Sequence, residues 1–132
     1  HAIIGVDCDV LVTAAIPDLI KMHEVNQVKA HIIVEGSNIP MTEEVEQLLE
    51  EKGVLVVPDF VANAGGVISS YAEYKGKNPD AMFTLVEKKI TKNTALVLAL
   101  AQKKGILPRA AAMAIAQDRV LRKCKTCRIP EV

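Results

Sequence analysis

Aromatic residues are nearly missing from this sequence: two Tyr, two Phe and no Trp in 132 residues. Single-stranded nucleic acid is held on stacked rings, so no binding of that kind is expected. An excess of charge is missing too. Sixteen basic residues balance sixteen acidic ones, which removes the general electrostatic reason to expect nucleic acid or an anionic membrane surface as a partner. Long apolar runs are absent as well, and those present fall far short of the roughly 20 residues that cross a bilayer.

Cysteine is scarce and odd in number, with three residues and no disulfide framework. Cys8 lies in an apolar run and reads as a small core residue. Cys124 and Cys127 make a single CxxC, short of the four ligands of a structural zinc site, and His23 and His31 are not spaced as a partner pair. No metal site is expected, the thiols are expected to be free, and the expected compartment is the reducing cytoplasm. The opening "HAIIGVDCDV" has neither the charged n-region nor the small-residue cleavage site of a signal peptide. His1 in place of Met suits a cropped or processed chain.

Apolar residues, by contrast, make up 50% of the chain, and the length suffices for one domain with a real core. Three short apolar runs stand out: "CDVLV" (8–12), "HIIVE" (31–35) and "VLVV" (54–57). None alternates apolar with polar, which predicts parallel strands covered on both faces. The gaps 13–30 and 36–53 are long enough for helical crossovers. The second predicts a clear helix over 42–51, with Thr42 as N-cap, Glu43 and Glu44 in the first turn, Val45, Leu48 and Leu49 on one face, and Gly53 just past the end. Its acidic residues are expected to form a solvated face. The first gap is weaker and predicts one or two helical turns. The pattern is β-α-β-α-β.

Beyond residue 62 only helices are expected. In the long middle one, Met82, Leu85, Val86 and Ile90 form an apolar stripe continued by Ala95, Leu96, Ala99 and Leu100. Gly105 and Pro108 punctuate, and the last helix is rich in alanine, which permits close helix packing.

Ligands of an open parallel sheet bind outside the carboxyl ends of its strands. Those ends are "TAA" (13–15), "GSN" (36–38) and "PDFVANAGG" (58–66). Asn38 and Asn63 offer both donor and acceptor, which suits a carboxamide or a ribose. Ala14 and Ala15 are small enough for a flat group to lie against the backbone. Gly65 and Gly66 at a helix N-terminus would let a ligand approach the main chain. A plainer account stands beside this one, with Asn63 as a simple N-cap and the glycines permitting tight helix–sheet packing. Val67, Ser70, Tyr71 and Tyr74 share one side of the following helix, so Ser70 falls on an apolar stripe, bonded to its own backbone or placed toward a polar ligand. No catalytic triad is visible.

Together "CDVLVTAA", "VEGSNIPMT", "VLVVPDFVANAGGVISSYAEY" and "AAAMAIAQDRV" resemble the C-terminal part of amino-acid dehydrogenases of the glutamate/leucine/phenylalanine/valine type. The resemblance runs in order over nearly the whole chain. It implies a fold: α/β, half of a doubly wound Rossmann-like parallel sheet of about three strands, followed by a C-terminal group of helices. It implies a division as well, with 1–62 the second half of an NAD(P)-binding domain and 63–132 a helical return toward a substrate domain. The implied activity is oxidative deamination of L-glutamate with reduction of NAD or NADP. Ala14 and Ala15 would lie near the adenosine, Asn38 and Asn63 at the nicotinamide end, with Gly65 a further coenzyme contact, and Val67 and Ser70 at the amino-acid substrate. A serine at the Ser70 position resembles members acting on glutamate, since a hydroxyl can donate to the side-chain carboxylate.

The sequence also departs from that pattern. Thr13 stands where the family often has proline, Ser37 where it often has alanine, and Ile39 where it often has glycine. No GxGxxG occurs among the seven glycines. The acidic residue that follows such a motif, and the catalytic lysine and aspartate of the other domain, have no counterpart here. The chain by itself is therefore expected to be inactive and to hold no catalytic residue, with a homo-oligomer, a hexamer in the family, expected for the intact enzyme. Other readings are a free-standing non-catalytic half-domain that binds a nucleotide or a partner, a leucine/valine/phenylalanine dehydrogenase fragment, and a chance match.

Overall fold

A computed structural model of the protein describes residues 2–124. Three strands form one sheet in the order β1-β2-β3, with β1 Val10–Thr13, β2 Ile32–Glu35 and β3 Leu55–Val57. Both pairings are parallel, and Val12 pairs with Val34, which pairs with Val57. The first crossover carries a short 3-10 helix, Met22–Gln27, and the second carries α1, Glu43–Glu51.

Helix α1 starts and stops for local reasons. The Val45 N–H donates to Thr42 Oγ1 at 3.4 Å. At the other end Gly53 takes a left-handed φ of 84°. The Val54 N–H then bonds to the Leu49 carbonyl and the Gly53 N–H to that of Glu50, closing a Schellman motif. Ile33, Leu49 and Met41 are almost wholly buried between the sheet and its crossovers, with Ile4 and Ile20 beside them.

The covering is one-sided at β1. Leu11 and Thr13 are buried, but Val10 and Val12 are about half exposed on the opposite face. The expectation of strands covered on both faces fails here, because the described residues place no layer over that face and no strand outside β1.

The helical part begins with a short turn the sequence reading passed over, α2 Asp59–Ala62. It continues with α3 Gly65–Tyr74, α4 Pro79–Lys104 and α5 Pro108–Lys123. Asn78 caps α4 by accepting from the Ala81 N–H at 2.9 Å, and Pro79 and Pro108 open their helices where no N–H bond is needed. Met82, Leu85, Val86 and Ile90 are half-buried as expected. The continuation of that stripe is different. Ala95, Leu96 and Ala99 are exposed, and Val97 and Ala101 face inward instead. The reason is the partner: this half of α4 packs on Ala111 and Ala112 of α5, whose small side chains set the inward line. The free thiols expected of the CxxC are not found at Cys124, which is disulfide-bonded, and Cys127 lies outside the described residues. None of the described helices is long and apolar enough to cross a membrane.

Candidate functional site

The carboxyl ends of the three strands do share one edge. The Ser37 N–H donates to the Thr13 carbonyl at 2.6 Å, so the loop after β2 lies against the end of β1. Gly36 makes that approach possible, since a Cβ there would sit 3.2 Å from the Thr13 carbonyl oxygen. Ala14 and Ala15 follow, both exposed.

Across the edge, Asn63 Nδ2 donates to Asn38 Oδ1 at 2.6 Å. Two residues twenty-five positions apart are thus brought into direct contact. The bond uses one donor of Asn63 and the acceptor of Asn38. It leaves the Asn38 amide as donor and Asn63 Oδ1 as acceptor. Asn63 is not the N-cap of α3; Ala64 takes that place, and no side-chain oxygen caps the helix.

The glycines part company. A Cβ on Gly65 would lie 3.4 Å from Val86 Cγ1, so this residue's bare side faces α4. Gly66 has open space around it. Val67, Ser70, Tyr71 and Tyr74 do share a face, but it is open, with Val67 78% and Tyr74 82% exposed. The buried stripe expected around Ser70 is not found; Ala72 is the buried residue of this helix. Ser70 Oγ donates to the Gly66 carbonyl at 3.1 Å and remains reachable from outside.

Behind the asparagines lies a cluster the sequence reading missed. Arg109 of α5 donates through Nε to both carboxylate oxygens of Glu46, at 2.7 and 2.8 Å. Its Nη2 reaches Glu35 Oε2 at 2.9 Å and Asp59 Oδ1 at 3.2 Å. The guanidinium also stands over the Phe60 ring, 5.5 Å from its centre. Glu35, Glu46 and Asp59 are all buried. Glu46 corrects the expectation that the acidic side of α1 is a solvated face: it points inward because Arg109 stands there. A signal was available, since Arg109 is the one charged residue in the otherwise apolar opening of α5, and a lone cation among alanines calls for a partner.

One cation among three carboxylates leaves an excess of negative charge. Burial, with Glu46 nearby, pushes the Glu35 carboxyl up to about 8. Its Oε2 accepts the Asp59 N–H at 2.8 Å besides Arg109, whereas Oε1 is buried without a partner among the described residues and is where a proton can sit. Asp59 goes the other way. Burial works against its charge, but the Ile39 and Phe60 amides and Arg109 hold it below the usual carboxylate range. Burial also opposes the Arg109 charge, yet the three carboxylates hold that proton more firmly than usual.

A three-stranded parallel sheet with helical crossovers, followed by helices, defines an α/β chain of Rossmann-like architecture. The model of the Glutamate/Leucine/Phenylalanine/Valine dehydrogenase family matches residues 1–127, and the chain belongs to that family. It is 37% identical to an NADP-specific glutamate dehydrogenase of Saccharolobus shibatae, over 90% of this chain and 30% of that protein. Its fold is similar to that of the L-tryptophan dehydrogenase of Nostoc punctiforme, with a TM-score of 0.83 at 28% identity, covering 94% of this chain and 37% of that one. A hetero-hexameric glutamate dehydrogenase of Thermus thermophilus gives 0.83 at 26% identity, covering 98% of this chain and 33% of that one. The chain thus spans about a third of the length of these proteins.

Proposed function

We propose that this chain is the coenzyme-edge and helical part of an amino-acid dehydrogenase that oxidatively deaminates L-glutamate with NAD or NADP. The observation that carries the reading is the Asn38–Asn63 pair, which leaves the Asn38 NH2 group to donate and Asn63 Oδ1 to accept at the carboxyl edge of a parallel sheet. That set fits a carboxamide or a ribose diol. The exposed Ala14 and Ala15 at the neighbouring strand end leave room for the adenosine side. Gly65 would contribute through its backbone alone.

When bound, the nicotinamide supplies the hydride acceptor. The residues of this chain would do the rest of their share by orientation. Asn38 and Asn63 would fix the nicotinamide end, so that its reactive carbon faces the substrate α-carbon. Val67 would line the substrate and Ser70 would donate to its side-chain carboxylate. The open face of α3 supports that role: the Ser70 hydroxyl is accessible, and its single hydrogen would turn from the Gly66 carbonyl to the substrate carboxylate. No residue here would be the acid or base, and the division at residue 62 separates the coenzyme part from the helical return. The intact protein would be an oligomer working in the cytoplasm on a small amino acid, without a nucleic-acid or membrane partner.

The 132-residue chain alone is expected to form no reduced coenzyme from glutamate. Sustained glutamate-dependent NADH or NADPH formation by the pure chain would contradict this division of labour. For the whole gene product, Ser70→Ala is expected to raise the glutamate KM about 10-fold or more, since the carboxylate then loses its donor. An unchanged KM would remove Ser70 from the substrate site.

A further inference from the structure

Asp59 is what the two asparagines have in common. Its Oδ2 accepts the Ile39 N–H at 3.0 Å, immediately after Asn38. Its carbonyl accepts the Asn63 N–H at 2.7 Å. The carboxylate cannot turn freely, because Oδ1 takes the Phe60 N–H at 2.8 Å and Arg109 Nη2 at 3.2 Å. Its own N–H is fixed on Glu35 Oε2 at 2.8 Å. Arg109 in turn is held by both oxygens of Glu46. One buried residue therefore anchors both segments that carry the amides, Asn38 through its side chain and Asn63 through its backbone carbonyl.

The anchor works against a backbone preference. Ile39 has a φ of 48°, the left-handed region that a β-branched residue avoids. Such a conformation persists only where its surroundings over-determine it. An exposed amide–amide bond gains little against water and cannot do that alone. The charge-assisted bond from the Ile39 N–H to Asp59 can. Without it, Ile39 would relax to negative φ and turn Asn38 away from Asn63.

We infer that Asp59, aligned by Arg109, is a positioning residue that sets Asn38 and Asn63 at their contact distance on the coenzyme edge. The inference rests on the proposed coenzyme role of that pair, but its geometry can be tested without any nucleotide.

The test is the amide NMR spectrum of the 132-residue chain, read at the Ile39 N–H and the Asn63 side-chain NH2. Asp59→Asn keeps its one oxygen toward the two donors at the Oδ1 position, the Phe60 N–H and Arg109, and turns its NH2 to the Ile39 N–H, so that the Ile39 bond is lost. Both signals are expected to move to the positions of solvent-exposed groups. Val97→Ala, which weakens the helical core, should leave them in place. Adding Ile39→Gly to Asp59→Asn should restore the Asn63 signal, since glycine holds the left-handed turn without an anchor. Signals that stay put in a folded Asp59→Asn chain, or that move as far in Val97→Ala, would overturn the inference. Should Asp59→Asn fail to fold, Arg109→Lys is read in its place. Lysine has no planar fork for three carboxylates, so the same shift is expected, and unmoved signals overturn the inference equally. Addition of NAD+ or NADP+ to the unaltered chain tests the coenzyme role separately. Shifts at Asn38 and Asn63 support it, and none at either residue removes the coenzyme from the claim while the nucleotide-free spectra judge the positioning.

Discussion

The strand half and the helical half of this molecule are built to different standards. Between Ile4 and Val56, large aliphatic side chains such as Ile33, Leu49 and Met41 are almost fully buried. Between Val61 and Ile115, the buried hydrophobic residues are Val61, Val97 and four alanines, Ala72, Ala101, Ala111 and Ala112. Large residues of the helical half, Tyr74 and Phe83 among them, lie mostly in the open. Alanine buries little area, and burial scales the hydrophobic gain. The first half holds itself together, and the second leans on close helix packing and on one ionic clip, Arg109, that ties α5 to α1, β2 and α2. What the contrast teaches is that a piece can keep the fold of one layer while the next stays thinly supported.

The sharpest way to break the contrast is to open the clip. Arg109→Met leaves buried carboxylates without their cation, a loss expected to cost about 3–5 kcal/mol. Hydrogen exchange should show α4 and α5 losing protection before β1–β3. Uniform loss across both halves would mean that they unfold as one unit. Next come paired truncations. Leu49→Ala in the strand half is expected to cost about 3 kcal/mol and Val97→Ala in the helical half about 1.5 kcal/mol, by urea unfolding. Equal costs would erase the difference in core quality.

Acidity sharpens the comparison further, because the clip titrates. Glu35 has its folded value raised from 4.5 to about 8, so its contribution is fully present below about pH 4.5 and lost as the pH rises through about 8. Glu50, also raised by burial, tilts the same way. Asp59 is lowered, so its contribution is present above 3.8 and lost as the pH falls through its folded value. The urea midpoint is therefore expected to fall between about pH 5 and pH 9, and Glu35→Gln should flatten that slope. A midpoint that rises over this range would refute the assignment. The smallest effect belongs to the strand half: Ile39→Gly should stabilise by about 1 kcal/mol, since it relieves a left-handed turn at a side chain 60% exposed. A destabilised variant would show that Ile39 packs more than it strains.

Local chemistry made much of this legible in advance. Thr42 and Gly53 bracket α1 as their side chains require, and the β-branched runs fall within a few residues of the strands. Asn38 and Asn63 were readable because strand ends bring loops to one edge whatever the side chains do. Other features depend on partners far along the chain. Nothing near Glu46 says that Arg109, sixty-three residues away, will bury it. The exposure of Val10, Val12 and the Val67–Tyr74 face was equally hidden, since a run of valines looks the same whether or not a layer covers it. The positive φ of Ile39 had a trace in the sequence, as the family often keeps glycine there.

The measurement that bears most directly on the account is an assay of the native gene product that contains this chain, with glutamate and either coenzyme, unaltered and as Asn63→Ala. The expected result is glutamate-dependent formation of NADH or NADPH, with the coenzyme KM raised about 10-fold in the variant as one hydrogen-bonding amide is lost. A product that reduces neither coenzyme with glutamate, or a variant whose coenzyme KM is unchanged, would contradict it.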